Sequence, residues 1–266
     1  MLSEVKLTWK LFLEKKEKEL VKALILAAGR GSRMKEKTNL VPKGMLKIGC
    51  NSIVEDTINK LRSNGIVDIA LVTGYKSEVY KKKLQNVTFF ENSNWETTNS
   101  TYSLLCALGW INQDVIILYS DIYVSHEVIQ LMLKEHSEDW VMPYNKNFKQ
   151  HWEWRFPGQN IFDDIESFNV DKNGYLVDIG NKVSSDTQID GQFMGIFKVN
   201  ERGIRDFKKY ILEIVALDFS TDITAMFNYL LKKMLKVKTV EYNGPWFEFD
   251  CFDDFNYFEK NIGGIS

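Results

Sequence analysis

The chain has 266 residues, with 34 basic and 36 acidic side chains and a formal net charge of −2. No strong overall field therefore attracts it to nucleic acid or to an anionic membrane surface. At this length a single core can bury about three quarters of the surface that the unfolded chain exposes, which is enough for one large domain without a disulfide or metal staple. Aromatic residues make up 13% of the chain, a surplus that packing or ligand binding has to explain.

Cysteine spacing and hydropathy indicate the compartment. Cys50, Cys106 and Cys251 are far apart and form no C-x-x-C pair, so the sequence predicts neither a disulfide framework nor a zinc site. The longest apolar run, ALILAA at residues 23–28, is far shorter than the roughly 18 residues of a membrane-spanning helix. We therefore expect a cytoplasmic protein with no membrane span and no signal peptide.

The start of the chain has apolar side chains at helical spacing, with Val5, Trp9 and Leu13 four residues apart, followed by the charge run EKKEKE. This pattern predicts an N-terminal amphipathic helix over residues 1–20. A helix docked on the rest of the protein explains it more simply than a membrane-surface or partner-binding helix. No linker or repeat interrupts residues 21–266, which we expect to form one domain.

After residue 20, short apolar segments alternate with helical stretches, which is typical of βαβ units and a largely parallel sheet between helices. The predicted strands are Val21–Ala27, Asp68–Thr73, Val87–Glu91, Asp114–Tyr119, Trp140–Met142, Gln192–Lys198, Lys238–Glu241 and Trp246–Phe249. The predicted helices are Ser52–Asn64, Lys76–Leu84, Thr101–Trp110, Ser125–Glu135, Asn200–Leu217 and Ile223–Leu235. A loop-rich stretch follows Pro143, and the pair Asn173 and Gly174 predicts a β-hairpin. The expected fold is an α/β domain with a small added β lobe.

Small residues follow the first predicted strand in LILAAGRGSRM, where they allow backbone N–H groups to approach an anion closely. Arg33 and Lys43 add fixed positive charge. A Rossmann dinucleotide fingerprint would need a third glycine where Met34 stands, and the Gly-Lys-Ser/Thr of a Walker A motif is absent. A plain turn is the alternative, but the loop favours a triphosphate site. Its predicted members are Leu26, Ala27, Ala28, Gly29, Gly31, Ser32, Arg33 and Lys43.

Two carboxylates follow predicted strands at the edge where open α/β sheets bind ligands. Asp121 comes directly after VIILYS, and Asp250 follows the last strand. Glu248 precedes Asp250 by two residues and therefore projects to the same face of an extended segment. Such oxygen ligands suit Mg²⁺, which prefers one or two carboxylates plus substrate phosphates. The alternative is a capping role, which we prefer for Asp253 and Asp254 in the first turn of an expected C-terminal helix.

The combination of LAAGRGSRM with the later VPKGML resembles the signature of the sugar-phosphate nucleotidylyltransferase superfamily, which transfers NMP from an NTP to a phosphorylated small molecule. The segments ENSNWETTNSTYSLLCA, YSDIYV, WRFPGQNIFDDIESFNVDKNGYLVDIGNK, GQFMGIFK and GPWFEFDCFDDF are similar to a branch of small cytidylyltransferases. That branch acts on phosphocholine or on phosphonates such as 2-aminoethylphosphonate. The resemblance extends from about residue 21 to residue 258.

This resemblance implies a Rossmann-like mixed, mostly parallel sheet flanked by helices, with the small β lobe binding the acceptor. It implies a CTP-dependent reaction with Mg²⁺ bound by Asp121 and Asp250, and Glu248 is a further candidate ligand. Arg33 and Lys43 complete the expected catalytic set. Asn99 and Ser103 lie in the region that meets the base and ribose in the family, which makes them candidates for nucleotide binding.

Local roles compete with two of these assignments. Asn99 and Ser103 could instead serve as a helix N-cap and a buried helix hydroxyl. Ser100 is a good N-cap for a helix that begins at Thr101, which would leave Asn99 available to a ligand.

Aromatic residues flank the predicted site, where an aromatic cage would hold an ammonium group. Core packing is the usual alternative for such side chains. Asp164, Glu166 and Asp190 could complement an amine or could be solvated hairpin charges. A lysine after IGN resembles one that lies near the transferred phosphoryl group in the family. The predicted acceptor-binding residues are Tyr144, Trp152, Trp154, Lys182, Phe193 and Trp246.

The sequence therefore predicts a cytidylyltransferase that transfers CMP from CTP to a small phosphorylated or phosphonate acceptor and releases pyrophosphate. A phosphate oxygen is itself the nucleophile, so no general base is required. The alternatives are a sugar-1-phosphate uridylyl- or guanylyltransferase and a catalytically silent nucleotide-binding protein. CTP and the acceptor are the expected partners, nucleic acid is not, and the sequence is compatible with a homodimer.

Overall fold

The computed structural model describes residues 21–156, 158, 160–184 and 187–261. The amphipathic helix predicted for residues 1–20 lies outside these residues. The three cysteines are free thiols, as expected. Within the described ranges, no helix is long and apolar enough to cross a membrane.

The predicted strands and helices occur in their predicted order along the chain, together with further short elements. The strands are β1 (Lys22–Ala27), β2 (Lys47–Ile48), β3 (Asn51–Ser52), β4 (Ile69–Thr73), β5 (Thr88–Glu91), β6 (Val115–Tyr119), β7 (Ile122–Val124), β8 (Trp140–Asn145), β9 (Glu166–Val170), β10 (Leu176–Lys182), β11 (Gln192–Phe193), β12 (Ile196–Val199), β13 (Lys238–Tyr242) and β14 (Trp246–Glu248). The α-helices are α1 (Ile53–Ser63), α2 (Ser77–Lys83), α3 (Ser100–Cys106), α4 (His126–Lys134), α5 (Phe148–Arg155), α6 (Ile204–Leu217), α7 (Ile223–Lys232) and α8 (Phe252–Asn261).

Eight of these strands form one sheet. Its order is β5, β4, β1, β6, β12 and β8, with β13 also paired to β8 and β11 paired to the end of β8. Strands β5, β4, β1, β6, β8 and β13 run in one direction, and β11 and β12 run in the other. The predicted α/β class with a mostly parallel sheet is confirmed.

Helices cover both faces of the sheet. Successive side chains of a strand point to opposite faces, and the central strand β1 carries apolar side chains on both of them. In β1, Ile25 points into one core together with Ile58 of α1 and Val128 of α4. Leu24 points into the opposite core, which contains Leu104 of α3 and side chains of α6 and α7. The ends of the parallel strands and the loops that follow them therefore remain open to ligands.

The predicted hairpin is present as the antiparallel pair β9 and β10. It is not a separate lobe in packing terms, because Phe168 and Ile179 of the hairpin share a core with Ile223 and Phe227 of α7. The hairpin therefore forms a fixed wall beside the open edge of the sheet.

Strands β2, β3 and β7 were not predicted, and several predicted elements differ from the observed ones. The single strand predicted over Gln192–Lys198 is interrupted at Gly195, which has φ 69° and divides it into β11 and β12. The stretch after Pro143 was expected to be loop-rich, yet β8 continues to Asn145 and α5 follows. The third predicted helix ends at Cys106 and not at Trp110.

The C-terminal segment returns to the sheet edge through a short antiparallel pair. Strand β14 pairs with β7, and the backbone N–H of Phe249 donates to the carbonyl of Asp121 at 2.9 Å. This pairing places Asp250 beside Asp121, although the two residues are far apart in the sequence.

Candidate active site

A cavity of about 210 Å³ opens where β1 and β6 end, with the loop after β1 as one wall; we call it the phosphate-loop cavity. Ala27 is buried in β1, Ser32 lies exposed at the start of a 3₁₀ helix (Ser32–Asn39), and Arg33 lines a neighbouring cavity. The other predicted nucleotide-binding residues line the phosphate-loop cavity. They are Leu26, Ala28, Gly29, Gly31, Lys43, Asn99 and Ser103.

The two predicted carboxylates share one cation. The Nζ atom of Lys43 lies 2.7 Å from Oδ2 of Asp121 and 2.8 Å from Oδ1 of Asp250. The Lys43 side chain is almost fully buried, whereas the two carboxylates are partly exposed. A second cation, Arg33, lies 3.5 Å from Oδ2 of Asp250 with 70% of its side chain exposed. The structure therefore brings together all four residues that the sequence predicted as catalytic.

Electrostatics keep Lys43 and Asp250 ionised. Burial alone would lower the pKa of Lys43, but the adjacent carboxylates of Asp121 and Asp250 raise it well above its usual value. Burial alone would raise the pKa of Asp250, but Lys43 and Arg155 hold it well below its usual range. Lys43 and Asp250 therefore form a charged pair at neutral pH.

Asp121 and Asp250 fit a divalent cation, because their carboxylates already converge on one cation, the ammonium group of Lys43. Glu248 fits less well: burial and the charge of Asp250 raise its pKa, and its carboxylate faces Arg155 at 3.5 Å. Among the described residues, no three His, Cys, Asp or Glu side chains are close enough to enclose a metal ion. Mg²⁺ would therefore need substrate phosphate oxygens as further ligands, which is its common mode of binding.

The observed helix ends show which polar residues act as caps. Ser125, and not Asp121, is the N-cap of α4. Asp254 does have the expected role at the start of α8, since its carboxylate accepts the backbone N–H groups of Asp250 and Cys251 at 2.6 and 2.7 Å. The expected N-cap Ser100 is wrong, because α3 begins at Ser100 and the Asn99 side chain accepts the Ser100 N–H at 2.8 Å. Asn99 is therefore the N-cap, and it also lines the phosphate-loop cavity.

A second, larger cavity of about 440 Å³ adjoins the first, and the two share Asn99, Tyr119 and Asp121. We call it the acidic cavity, because carboxylates dominate its lining. These are Asp121, Asp164, Glu166, Asp222, Glu248 and Asp250. Arg33 is its only cationic lining residue among the described ones. An acidic wall of this kind favours a ligand that carries a positive charge.

Only two of the predicted acceptor-binding aromatic residues line the acidic cavity among the described residues: Trp152 and Phe193. The indole of Trp152 is buried and donates to Oδ2 of Asp164 at 3.0 Å. Asp164 and Glu166, two of the three carboxylates that could complement an amine, also line the acidic cavity. Asp190 instead accepts the backbone N–H of Val170 at 2.8 Å.

The remaining predicted acceptor residues point elsewhere. Trp246 is buried in the core, with its indole donating to the Met194 carbonyl at 3.0 Å. Tyr144 stacks on Phe168, and its hydroxyl donates to Glu241. Trp154 is 43% exposed and stacks on Tyr257. Lys182 is exposed at the end of β10. The structure does not bring these four side chains to the cavity.

Three further residues shape the site and were not predicted. Asn92 is almost fully buried and donates to the hydroxyls of Thr98 at 3.0 Å and Ser103 at 3.2 Å, which ties the loop to α3. Trp95 lines the phosphate-loop cavity, with its ring edge-on to Tyr75. A tryptophan within the polar segment ENSNWETTNS was the available signal for it.

Arg155 is the third, and its guanidinium lies behind Asp250. The side chain is fully buried, and Nη2 lies 3.1 Å from Oδ2 of Asp250. Its position in HWEWR, between aromatic residues, gave no sign of a partner, because its carboxylates lie 95 and 99 positions away.

Comparison with known proteins agrees with this geometry. Residues 23–178 match the family described as MobA-like NTP transferase domain. The chain is 30% identical over 249 residues to the CTP:phosphoglutamine cytidylyltransferase of Campylobacter jejuni, covering 87% of this chain and 96% of that protein. It is 34% identical over 153 residues to the choline-phosphate cytidylyltransferase of Haemophilus influenzae, covering 55% of this chain and 64% of that protein.

A solved structure supports the fold. The inositol-1-phosphate CTP transferase from T. maritima superposes with a TM-score of 0.72 at 15% identity, covering 92% of this chain and 98% of that one. The resemblance to nucleotidylyltransferases that the sequence motifs predicted is confirmed, and so is the predicted enzyme class. The chain belongs to the family of MobA-like NTP transferase domains, and its relatives include cytidylyltransferases.

Proposed function

We propose that this protein transfers CMP from CTP to a small acceptor that carries both a phosphate or phosphonate group and an ammonium group, with release of pyrophosphate. The observation that carries this proposal is the junction of the two cavities at Asp121. One cavity has the phosphate loop and Lys43, and the other is lined by carboxylates. A polyanionic nucleotide and a cationic acceptor would therefore meet at the two carboxylates that bind Lys43.

The phosphate-loop cavity would bind the triphosphate. Gly29 and Gly31 let backbone N–H groups approach phosphate oxygens, and Lys43 supplies a buried, permanent positive charge. Arg33 is exposed enough to reorient toward the phosphates. Mg²⁺, when bound at Asp121 and Asp250, would add charge stabilisation to the transferring phosphoryl group.

In the reaction, an oxygen of the acceptor phosphate or phosphonate attacks the α-phosphorus of CTP. A new P–O bond forms, and the bond between the α-phosphorus and the oxygen bridging to the β-phosphate breaks, so that pyrophosphate leaves with that electron pair. The acceptor oxygen is already anionic near neutral pH and needs no base. Consistent with this, no histidine lines either cavity within the described ranges. The protein contributes alignment and charge stabilisation through Lys43 and Arg33.

The acidic cavity would recognise the cationic end of the acceptor. Its carboxylates outnumber its aromatic rings, so direct ion pairing and hydrogen bonding contribute more than an aromatic cage. Glutamine and choline, after which the acceptors of two relatives are named, both carry an ammonium group. A primary ammonium has three N–H donors for carboxylates, whereas a quaternary ammonium has none. The lining therefore favours a primary amine acceptor over a choline ester.

The direct test of this function is an acceptor panel. We expect pyrophosphate release with CTP and a primary amine acceptor, such as aminoethylphosphonate, phosphoethanolamine or a phosphorylated amino acid amide. Release should be weaker with phosphocholine and with hydroxyalkylphosphonates, which lack N–H donors. Pyrophosphate is measured with CTP, UTP, GTP and ATP in parallel. Preferential release with UTP or GTP and a sugar 1-phosphate would contradict the proposal, and CTP binding without release from any acceptor would indicate a silent protein.

The carboxylate pair is tested by isosteric substitution. Asp121→Asn and Asp250→Asn each remove one charge from the site of the Lys43 ammonium, and we expect kcat to fall by roughly 100-fold or more. Asp253→Asn is the control, because Asp253 is an exposed residue in the first turn of α8. Steady-state turnover and thermal unfolding are measured for all three variants. Wild-type turnover by either site variant would remove its residue from the catalytic set.

The phosphate loop offers a matched glycine pair. Gly31 and Gly49 both have positive φ, 67° and 66°, so an alanine strains the backbone equally at each. A Cβ atom at Gly31 would meet the Lys43 side chain at 2.8 Å, whereas at Gly49 nothing lies within 4 Å. We expect both alanine variants to lose about 1 kcal/mol of stability. Only Gly31→Ala should displace Lys43 and weaken CTP binding, measured by calorimetry. Equal CTP affinity in the two variants would contradict this role for the loop.

The two tryptophans of α5 test whether the wall of the acidic cavity binds the acceptor. Trp152→Phe keeps an aromatic ring in the core but removes the indole N–H that binds Asp164 at 3.0 Å. We expect the acceptor KM to rise severalfold while the CTP KM is unchanged, because Asp164 loses the partner that fixes its orientation. Trp154→Phe is the matched control on the exposed side of the helix. An unchanged acceptor KM in Trp152→Phe would assign both rings to packing alone.

A further inference from the structure

Arg155 is the most completely enclosed cation in the described part of the site, and no step of the proposed reaction uses it. It ends α5, and its side chain is 0% exposed. The guanidinium carbon lies 5.3 Å from the ring centroid of Trp152 and 5.1 Å from that of Phe156. These two aromatic contacts restrict the plane in which the guanidinium can lie.

Four carboxylates surround this guanidinium. Nε donates to Oδ1 of Asp254 at 3.1 Å, and Nη2 donates to Oδ2 of Asp250 at 3.1 Å. Nη1 faces Oε2 of Glu248 at 3.5 Å and Oδ2 of Asp164 at 3.9 Å. These carboxylates come from two separate segments of the chain, around Asp164 and over residues 248–254. Arg155 therefore connects the C-terminal segment that carries Asp250 with the wall of the acidic cavity.

The two oxygens of Asp250 have different partners. Oδ1 accepts from Lys43 at 2.8 Å, on the side of the phosphate-loop cavity, whereas Oδ2 is held by Arg155. Arg33 also approaches Oδ2, at 3.5 Å, but it is mostly exposed and is free to follow a ligand. The buried Arg155 is therefore the fixed partner that sets the rotation of the Asp250 carboxylate.

We propose that Arg155 is a positioning residue for CMP transfer, which orients the Asp250 carboxylate toward the reacting phosphates and links it to the acceptor-binding carboxylates Asp164 and Glu248. This inference rests on the proposed function. Arg155 does not contact the space where the reacting atoms would lie. It acts through Asp250.

If Arg155 formed only a structural ion pair, each of its N–H groups would have a hydrogen-bond acceptor, as is usual for buried arginines. Nη1 of Arg155 is buried and has no hydrogen-bond partner among the described residues, even though two carboxylates are near it. Those carboxylates line the acidic cavity instead of closing on the guanidinium. Asp164 and Glu248 thus keep acceptor capacity toward the cavity while Arg155 reduces the repulsion between them.

Two substitutions separate positioning from charge. Arg155→Lys keeps the positive charge but loses the planar fork, and Arg155→Met keeps much of the aliphatic stem and loses both. We expect kcat to fall by about 10-fold in Arg155→Lys and by up to roughly 100-fold in Arg155→Met, with the CTP KM changed much less. Arg202→Met is the control, since Arg202 pairs with Asp139 on the surface at 3.0 Å. Thermal unfolding identifies any variant that does not fold.

A second readout does not depend on turnover. Removing a nearby positive charge should strengthen cation binding at Asp121 and Asp250, whereas losing the orientation of Asp250 should weaken it. We expect the affinity of Mn²⁺ for the protein–CTP complex, measured by electron paramagnetic resonance, to fall about 10-fold in both Arg155 variants. Arg202→Met should match the wild-type protein.

The outcomes distinguish this inference from the proposed function. Wild-type kcat in a folded Arg155→Met protein, or Mn²⁺ affinity that is unchanged or increased, would overturn the positioning role. If Arg155→Met does not fold, Arg155→Lys decides by the same two measurements. If the wild-type protein releases no pyrophosphate from any nucleotide and acceptor, the proposed function fails, and Mn²⁺ affinity alone then reports whether Arg155 orients Asp250.

Discussion

The site depends on the ammonium group of Lys43, which lies between Asp121 and Asp250. Its two partners are 78 and 207 positions away in sequence, so this one cation joins the phosphate loop, the end of β6 and the C-terminal segment. The ammonium group is almost fully buried, so protein atoms fix its position. The two carboxylates are partly exposed, so a ligand in the cavities can reach them. Each of the other site features is arranged around this contact.

The net charge of −2 conceals a strong local separation of charge. Lys43 lies on the side of the phosphate loop, whereas six carboxylates and a single cation, Arg33, line the acidic cavity among the described residues, and the two regions meet at Asp121. A global field would be weak for such a chain, yet a polyanion and a cation can bind side by side, because clefts focus local fields. Overall composition therefore bears on nonspecific partners such as nucleic acid and says little about small ligands.

The parts of the site that follow a strand were predictable, because the carboxyl ends of parallel strands meet at one edge of the sheet. Asp121, which follows β6, was found in this way. Lys43 lies on a 3₁₀ helix, and Asp250 follows β14, which pairs antiparallel with β7, so both were found with the motif resemblance. Arg155 was not, since its partners become neighbours only after the C-terminal segment has returned to the sheet. The structure also separates the two tryptophans of α5 that were predicted together as acceptor-binding. Residues two positions apart on a helix differ by about 200° in direction, so Trp152 faces inward and Trp154 faces solvent.

Part of the aromatic surplus lies in and around the same returning segment. Strand β14 has three residues, too few for its hydrogen bonds alone to fix the position of a catalytic carboxylate. In WFEFD the side chains alternate: Phe247 and Phe249 enter a cluster with Tyr123, Phe255 and Phe258, whereas Glu248 and Asp250 face the cavity.

That aromatic cluster anchors one face of the segment and leaves the other face to carry charge. Burying large rings on one side offsets the cost of holding two carboxylates close together on the other. The rings of this cluster therefore support the site without lining it, because they fix Asp250 within reach of Lys43 and Arg155.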